Sequence, residues 1–321
     1  MTAVTPIHPA LPDPADAAIA PVISIIIACR NGAGTLQETL DALTAQAWNQ
    51  PWEIVLADNG STDASAAMFT AHAARNPHVT MRIFDASARP GKSHALNAAI
   101  RDSKAPWFLF CDTDDVVAPG WLAEMAAALR HHPFVAARMD FTLLNERWMI
   151  AYRGNAQENG LARLNHAPYA LYAGGGSFGF HRQTFETIGD FNAEFIHLED
   201  TDYCIRAHLC GYLLHFVPDA LIHIRLRGDA ASIYAQAYNY ARYRALLRAR
   251  YGETPRRIRP ASWIKATQRG LTLARWRMGK AMRGVAGRRR DVVEQATYAR
   301  RAGTFMGDLA GSLAYGVPPN S

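Results

Sequence analysis

The sequence predicts an α/β fold with a mostly parallel sheet, followed by a basic helical extension. Three observations lead there: apolar runs of strand length alternate with segments of helical periodicity, polar residues fall just after those strands, and the C-terminal part collects positive charge.

The elements can be justified in order. Residues 1–20 are rich in Pro and Ala without periodicity and read as a disordered leader. Val22 to Cys29 (VISIIIAC) is β-branched and apolar on both faces, the pattern of a central strand covered on both sides. A turn, Asn31-Gly32-Ala33-Gly34-Thr35, precedes Leu36, Leu40 and Leu43 at helical spacing. Trp52 to Ala57 is a second strand, and a helix follows the Asp58–Asp63 turn through about Arg75. Val79 to Phe84 reads as a third strand, Gly91 to Arg101 as a helix and Trp107 to Cys111 as a fourth strand. This cadence is Rossmann-like, and such sheets bind ligands at the carboxyl ends of their strands. Asn31, Asp58 and Asp112 each stand just after a strand and so converge on one edge.

Beyond Asp115 the cadence changes. Trp121 to Leu129 reads as a helix, an irregular stretch runs to Ala173, and Gly174-Gly175-Gly176 opens a second informative block ending near His223. Helices are expected over Ile233 to Arg250 and roughly Trp263 to Met282, with Pro255 and Pro260 between them and the last ten residues frayed.

Composition sets the outer bounds. With 321 residues, 49% of them hydrophobic, the chain can bury a sizeable core. The net charge of +6 conceals an asymmetry: Arg225 to Arg301 holds 20 Lys+Arg against 4 Asp+Glu, leaving −10 for the remainder. Such a segment suits an anionic membrane surface or phosphorylated substrate, or is a solvated helical face. No nucleic-acid-binding motif accompanies it, so no nucleic acid is expected. The four cysteines lack zinc-site spacing, and Cys29 and Cys111 sit in apolar runs, so buried thiols are expected. No apolar run reaches the roughly 18 residues a spanning helix needs, and no signal peptide is apparent. A cytoplasmic location, peripheral on the inner face of the cell membrane, is the expectation.

Four blocks carry chemistry. In FLFCDTDDVVAPGWL, three carboxylates (Asp112, Asp114, Asp115) close an apolar strand, where a hard divalent cation would relieve their repulsion. An acidic turn with a helix cap would look the same. In EIVLADNGSTD, Asp58 could accept hydrogen bonds from a base or ribose, or simply belong to a turn. In ARPGKSHALNAAI, Gly91 permits close backbone approach and Lys92 opens a helix, where an anion could bind. In HLEDTDYCIRAHL, Glu199, Asp200 and Asp202 suit a helix N-terminus, and a partly buried carboxylate there could act as a general base. His223 ends the apolar run Ala220-Leu221-Ile222 and, alone, reads equally as structural.

In order and spacing these blocks resemble the inverting glycosyltransferases of family 2, with their GT-A fold, over roughly Val22 to His223. Arg30 departs from the pattern, standing where an aromatic is usual. The resemblance implies that Asp58 and Asp112 contact the nucleoside, with Asn31 and Lys92 also on the donor side. It further implies that Asp114 and His223 hold Mg²⁺ or Mn²⁺ against the diphosphate and that Asp200 is the catalytic base. Gly175 and Gly176 in GGGSFGF, with Glu199, would face the acceptor. The implied partners are a nucleotide-sugar, with UDP first among the nucleotides, and a glycan or lipid-linked acceptor. On this reading residues 21–228 form the catalytic domain, with a nucleotide-binding half 21–118 and an acceptor half 119–228, and 229–321 form the basic extension. A sugar-nucleotide nucleotidyltransferase and a non-catalytic scaffold or carbohydrate-binding module are the alternatives.

Overall fold

A computed structural model describes residues 21–166, 168–252, 264–275 and 292–319. The leader 1–20, Trp263 and the stretch Trp276–Arg290 lie outside the described residues. In order, the elements are β1 (Ile23–Cys29), α1 (Leu36–Thr44), β2 (Trp52–Asp58), α2 (Ser65–Arg75), β3 (Thr80–Asp85), α3 (Lys92–Asp102) and β4 (Trp107–Phe110). There follow β5 (Val116–Val117), α4 (Trp121–Leu129), β6 (Phe134–Asp140), α5 (Arg147–Arg153), β7 (Ala162–Arg163) and β8 (Leu171–Tyr172). The chain closes with β9 (Phe178–His181), α6 (Arg182–Ile188), α7 (Glu199–Leu209), β10 (His215–His223), α8 (Ala230–Tyr251), α9 (264–275) and α10 (Val292–Tyr315).

Eight strands form one sheet in the order β3-β2-β1-β4-β9-β6-β10-β5. The pairs β3-β2, β2-β1, β1-β4 and β6-β10 are parallel, and β9 runs antiparallel between β4 and β6. The α/β architecture with a mostly parallel sheet is therefore as the sequence predicts. Strand order reverses at β1, which has β2 on one side and β4 on the other, and this reversal opens a crevice at the strand ends.

Alternation along β1 explains why its run is apolar throughout. Ile23, Ile25, Ile27 and Cys29 join a core with α1 and α4, whereas Ile26 faces the opposite core with α3 and the β9 phenylalanines. Ser24 is the polar exception. Its hydroxyl donates to Glu53 Oε1 at 2.5 Å, and Arg82 Nε meets Glu53 Oε2 at 2.8 Å, so the buried carboxylate is paired. In the second core, Phe191 stacks on Tyr203 with ring centroids 4.4 Å apart, fixing the floor beneath α7. Gly179 is required there because a Cβ would fall 2.6 Å from the Phe108 carbonyl oxygen.

Contacts divide the chain into two units: Met1–Asp140, Ala156–Ala162 and Leu171–Ile224 in the first, and Phe141–Asn155, Arg163–Ala170 and Arg225–Ser321 in the second. Within the second unit, α8 packs along α10. Sequence periodicity does not foresee α10, and the expectation of ten frayed terminal residues fails, since α10 continues to Tyr315 and Val317 is buried. The reason is that α10 presents Gly303, Gly307 and Gly311 to α8, an apolar stripe without apolar side chains. Opposite these glycines lie the backbone of Tyr234, Tyr238 and Arg242 and the Cβ atoms of Ala237 and Ala245, all of α8. Among the described residues, no helix is long and apolar enough to cross a membrane.

A Cβ on Gly307 would lie 2.0 Å from the Tyr238 carbonyl oxygen, whereas one on Gly34 meets nothing within 4 Å. Gly307→Ala is expected to lower unfolding free energy by about 1–3 kcal/mol and Gly34→Ala to leave it nearly unchanged, as read from urea melts.

Candidate active site

The crevice is built from loops that hold one another. After β1, Asn31 adopts a left-handed conformation (φ 58°), and its side-chain oxygen accepts from the Thr62 backbone N–H at 2.8 Å. Gly32 N–H donates to Ser65 Oγ and Ala33 N–H to Asp63 Oδ2, so the β1 turn is clasped to the β2 turn. Asp58 lies level with Cys29 in the register, and its Oδ1 accepts from Ser61 N–H at 3.0 Å. Its second oxygen has no partner among the described residues.

Thr35, just before α1, and Thr39 within it fix the third turn. Thr35 donates to the Thr113 carbonyl at 2.8 Å, and Thr39 donates to the Asp115 carbonyl at 2.8 Å. The acidic turn after β4 thereby has a defined backbone, which permits like charges to stand close together. Asp112, Asp114 and Asp115 all act electrostatically on buried Cys111, whose thiol is pushed well up, by burial first and then by those carboxylates.

Lys92 is the cation at the centre of the site. Its Nζ lies 2.7 Å from Asp112 Oδ1 and 3.3 Å from Glu199 Oε1. Burial works against its charge, but Asp112 and Glu199 hold its pKa well above the ordinary lysine value, with Asp200 adding to them. Gly91, at φ 127°, delivers this lysine to the start of α3 in a backbone conformation that favours glycine. Asn59 locks the same loop: its amide donates to the Ala86 and Arg89 carbonyls at 2.6 and 2.8 Å, and its oxygen accepts from Gly91 N–H at 2.8 Å.

Opposite Asp112 stands the start of α7. Leu198 takes a left-handed conformation (φ 64°), uncommon for a residue with a branched side chain, and turns the chain into the helix at Glu199-Asp200. Asp200 Oδ2 accepts from Gly175 N–H at 2.8 Å, and Oδ1 from Thr201 N–H at 2.6 Å. Gly175 and Gly176 fill the space between the two sides. A Cβ on Gly175 would be 3.2 Å from Asp200 Cβ, and one on Gly176 would be 3.1 Å from Asp112 Cγ. Burial pushes the Glu199 carboxyl up to about 7, with Lys92 pulling the other way and Asp200 adding to the rise. Burial also raises Asp200, against Lys92 and its N–H donors.

His223 arrives by sheet pairing, opposite Val116 of β5 and therefore beside the acidic turn. Its Nδ1 is 2.8 Å from Asp140 Oδ2, a contact that sets the tautomer and leaves Nε2 without a partner among the described residues. Among the described residues, no three His, Cys, Asp or Glu side chains are already gathered as a metal cage.

The structure thus brings Lys92, Asp112, Gly175, Gly176, Glu199 and Asp200 into direct proximity, with Asn31 and Asp58 on the neighbouring strand ends and His223 on the β10 side. Three contributors escaped the sequence reading. Asn59 and Leu198 act through backbone geometry, which residue type alone does not show, and Asp140 lies 83 residues from the histidine it orients. The signal for Asn59 was its place directly after Asp58, because asparagine can serve a neighbouring loop from both ends of its amide.

The family model of glycosyl transferase family 2 matches residues 24–189. The chain belongs to glycosyltransferase family 2. A PGL/p-HBAD biosynthesis glycosyltransferase of Mycobacterium bovis is 30% identical over 192 residues, covering 58% of this chain and 70% of that protein. The poly-beta-1,6-N-acetyl-D-glucosamine synthase of Staphylococcus aureus is 22% identical, covering 68% of this chain and 53% of that one. Among solved structures, the mannosyltransferase PcManGT from Pyrobaculum calidifontis, in complex with GDP-Man and Mn²⁺, aligns with TM-score 0.62 at 20% identity, over 94% of this chain and 89% of that one. S. aureus TarS 1-349 in complex with UDP-GlcNAc aligns with TM-score 0.50 at 18% identity, over 70% of this chain and 65% of that chain, just under two thirds of its length. The fold is GT-A.

In this family 2 protein, the raised Glu199 pKa gives a pH signature. The folded state holds its proton above the ordinary value of 4.5, so stability falls as pH rises from 4.5 to about 7 and is then level. Glu199→Gln should flatten that fall in urea melts taken across the window, and an unchanged slope would contradict the assignment.

Proposed function

We propose that this family 2 member is an inverting glycosyltransferase that moves a sugar from a nucleoside-diphosphate-sugar to an acceptor hydroxyl, in polysaccharide, glycolipid or other cell-surface glycan synthesis. One observation carries the reading. Adjacent glycines, Gly175 and Gly176, touch Asp200 and Asp112 respectively, so a carboxylate of the acidic turn and a carboxylate of α7 share one crevice at the strand ends.

The roles follow from the chemistry of each position. Asp58 offers its second carboxylate oxygen, and Asp112 its Oδ2, to ribose or base hydroxyl and N–H groups. Asn31 has its carbonyl end committed to Thr62 and keeps its amide N–H groups for the donor. Lys92 supplies positive charge beside the diphosphate. Asp114 and His223 are the residues that would hold Mg²⁺ or Mn²⁺, and the carboxylate–imidazole set suits such an ion. Two protein ligands would suffice for such an ion, since magnesium usually takes the rest of its oxygens from water and substrate phosphates. A bound ion there stabilises the departing diphosphate. Gly175, Gly176 and Glu199 border the acceptor. Asp200 takes the hydroxyl proton while the hydroxyl oxygen bonds to the anomeric carbon and the bond to the diphosphate oxygen breaks on the opposite face, inverting that carbon.

PcManGT with GDP-Man and Mn²⁺ and TarS with UDP-GlcNAc support a nucleotide-sugar donor and a divalent ion. A UDP-sugar is the first donor to test. The names of the mycobacterial and staphylococcal relatives support a glycan or lipid-linked acceptor. The basic C-terminal helices support a cytoplasmic protein on the inner face of the membrane.

The test is nucleoside diphosphate release by purified full chain from a panel of nucleotide-sugars with Mn²⁺ or Mg²⁺. Pyrophosphate release would point to a nucleotidyltransferase, and donor binding without turnover to a scaffold. Asp200→Asn is expected to reduce release by about 10²–10⁴-fold with donor binding retained, and full activity in this variant would remove the base assignment. Asp114→Asn should lose the response to added metal while keeping the unfolding midpoint.

A further inference from the structure

The second unit contains two adjoining cavities among α5, α8, α9 and α10. The larger, of about 850 Å³, is lined mainly by apolar and aromatic residues, including Tyr234, Leu273, Ala302, Phe305 and Met306, with Glu294 its only acid among the described residues. The smaller, of about 430 Å³, is lined by Arg153, Arg244, Arg269, Arg300 and Arg301 and by no acidic residue among those described. Leu273 and Phe305 belong to both linings, so the cavities share a wall.

Three of these arginines are held together without counter-charge. Arg153, Arg300 and Arg301 make no ion pair among the described residues, and Arg300 Nε is buried without a hydrogen-bond partner. Burial lowers the Arg300 pKa, and Arg153 and Arg301 lower it further, which is the mark of cations pressed together. Other acids of the unit are engaged elsewhere: Asp308 pairs with Arg248 at 3.1 Å, Asp229 caps α8, and Glu146 accepts from Trp148 Nε1. Like charges converge in this way where an anion completes the site, and guanidinium forks match phosphate oxygens.

We propose that the paired cavities are one binding site for a phosphate-bearing lipid, with its phosphate on Arg153, Arg300 and Arg301 and its aliphatic chain in the apolar cavity. The phosphate is selected by the uncompensated guanidinium groups, the chain by the shared apolar wall. This site is independent of the transfer chemistry in the first unit.

Dodecyl phosphate, dodecyl maltoside and inorganic phosphate are the probes, titrated calorimetrically into the full chain. Dodecyl phosphate should bind at least about tenfold more tightly than either of the others, since only it satisfies both cavities. Arg153→Gln and Arg300→Gln should each weaken it by about tenfold without lowering the unfolding midpoint. Ala302→Trp, which fills the apolar cavity, should weaken dodecyl phosphate and leave inorganic phosphate unchanged. Equal affinity for dodecyl maltoside, equal affinity for inorganic phosphate, no binding of dodecyl phosphate, or undiminished binding in both arginine variants would each overturn the proposal. The readout involves no sugar donor, so failure of the transferase reading would leave this result standing, and the reverse.

Discussion

A single ammonium group among carboxylates is the constraint from which the site is organised. Two unit charges 4 Å apart interact by about 4 kcal/mol at an effective dielectric constant of 20, so Asp112, Glu199 and Asp200 could not be brought to one crevice as bare anions. Lys92 makes the convergence possible, at 2.7 Å from Asp112 and 3.3 Å from Glu199. It does so while one-third exposed, at 33%, which keeps the ion pairs open to exchange with an incoming charged ligand. Everything that positions Lys92 therefore positions the site: the left-handed turn at Gly91, the Asn59 clamp on that turn and the packing of α3 on the sheet.

The sheet supplies the second requirement, which is that groups distant in sequence arrive at one rim. Parallel pairing of β1 with both β2 and β4 places their carboxyl ends together, so the turns carrying Asn31, Asp58 and Asp112 are neighbours by topology rather than by local sequence. Antiparallel β9 then carries Gly175-Gly176 into the same rim from the opposite direction, and β10 brings His223 to the level of Val116. Polar clasps tighten what the topology brings near. Thr35 and Thr39 tie the acidic turn to α1, and Asn97 binds both the N–H and the carbonyl of Phe191, steadying the approach to α7.

Much of this was legible in residue order because the relevant signals are local. A β-branched run followed by Asp or Asn marks a strand end, the Asp-Thr-Asp run stands in the turn after β4, and the Glu-Asp pair opens α7. What was not legible depends on backbone dihedrals or on long-range partners. Leu198 gives no hint of its positive φ, Asp140 gives none of its bond to His223, and irregular hydrophobicity between Phe134 and Arg153 conceals both β6 and α5. The helix α10 was missed for a related reason. Its packing face is a row of glycines, whose value is the close approach of another backbone, and a search for apolar side chains passes over it. The spacing of Gly303, Gly307 and Gly311 becomes informative only once Tyr234, Tyr238 and Arg242 are seen against them.

The two acidic residues at the start of α7 stand in different environments. A general base must be ionised when the acceptor arrives, and its proton affinity must still exceed that of an ordinary surface carboxylate. Glu199 is buried, its carboxyl is raised to about 7, and its Oε1 lies 3.3 Å from Lys92 Nζ, so it helps to place that side chain. Asp200 is raised by burial as well, but the N–H groups of Gly175 and Thr201 stabilise its charged form, and its carboxylate is shared with the glycine turn rather than with Lys92 Nζ. A carboxylate oxygen supported by backbone donors, beside the Gly175-Gly176 turn, has lone pairs left for a hydroxyl proton. The pairing of the lysine with Glu199 rather than Asp200 supports the proposed reading, with Asp200 as base and Glu199 as a positioning residue.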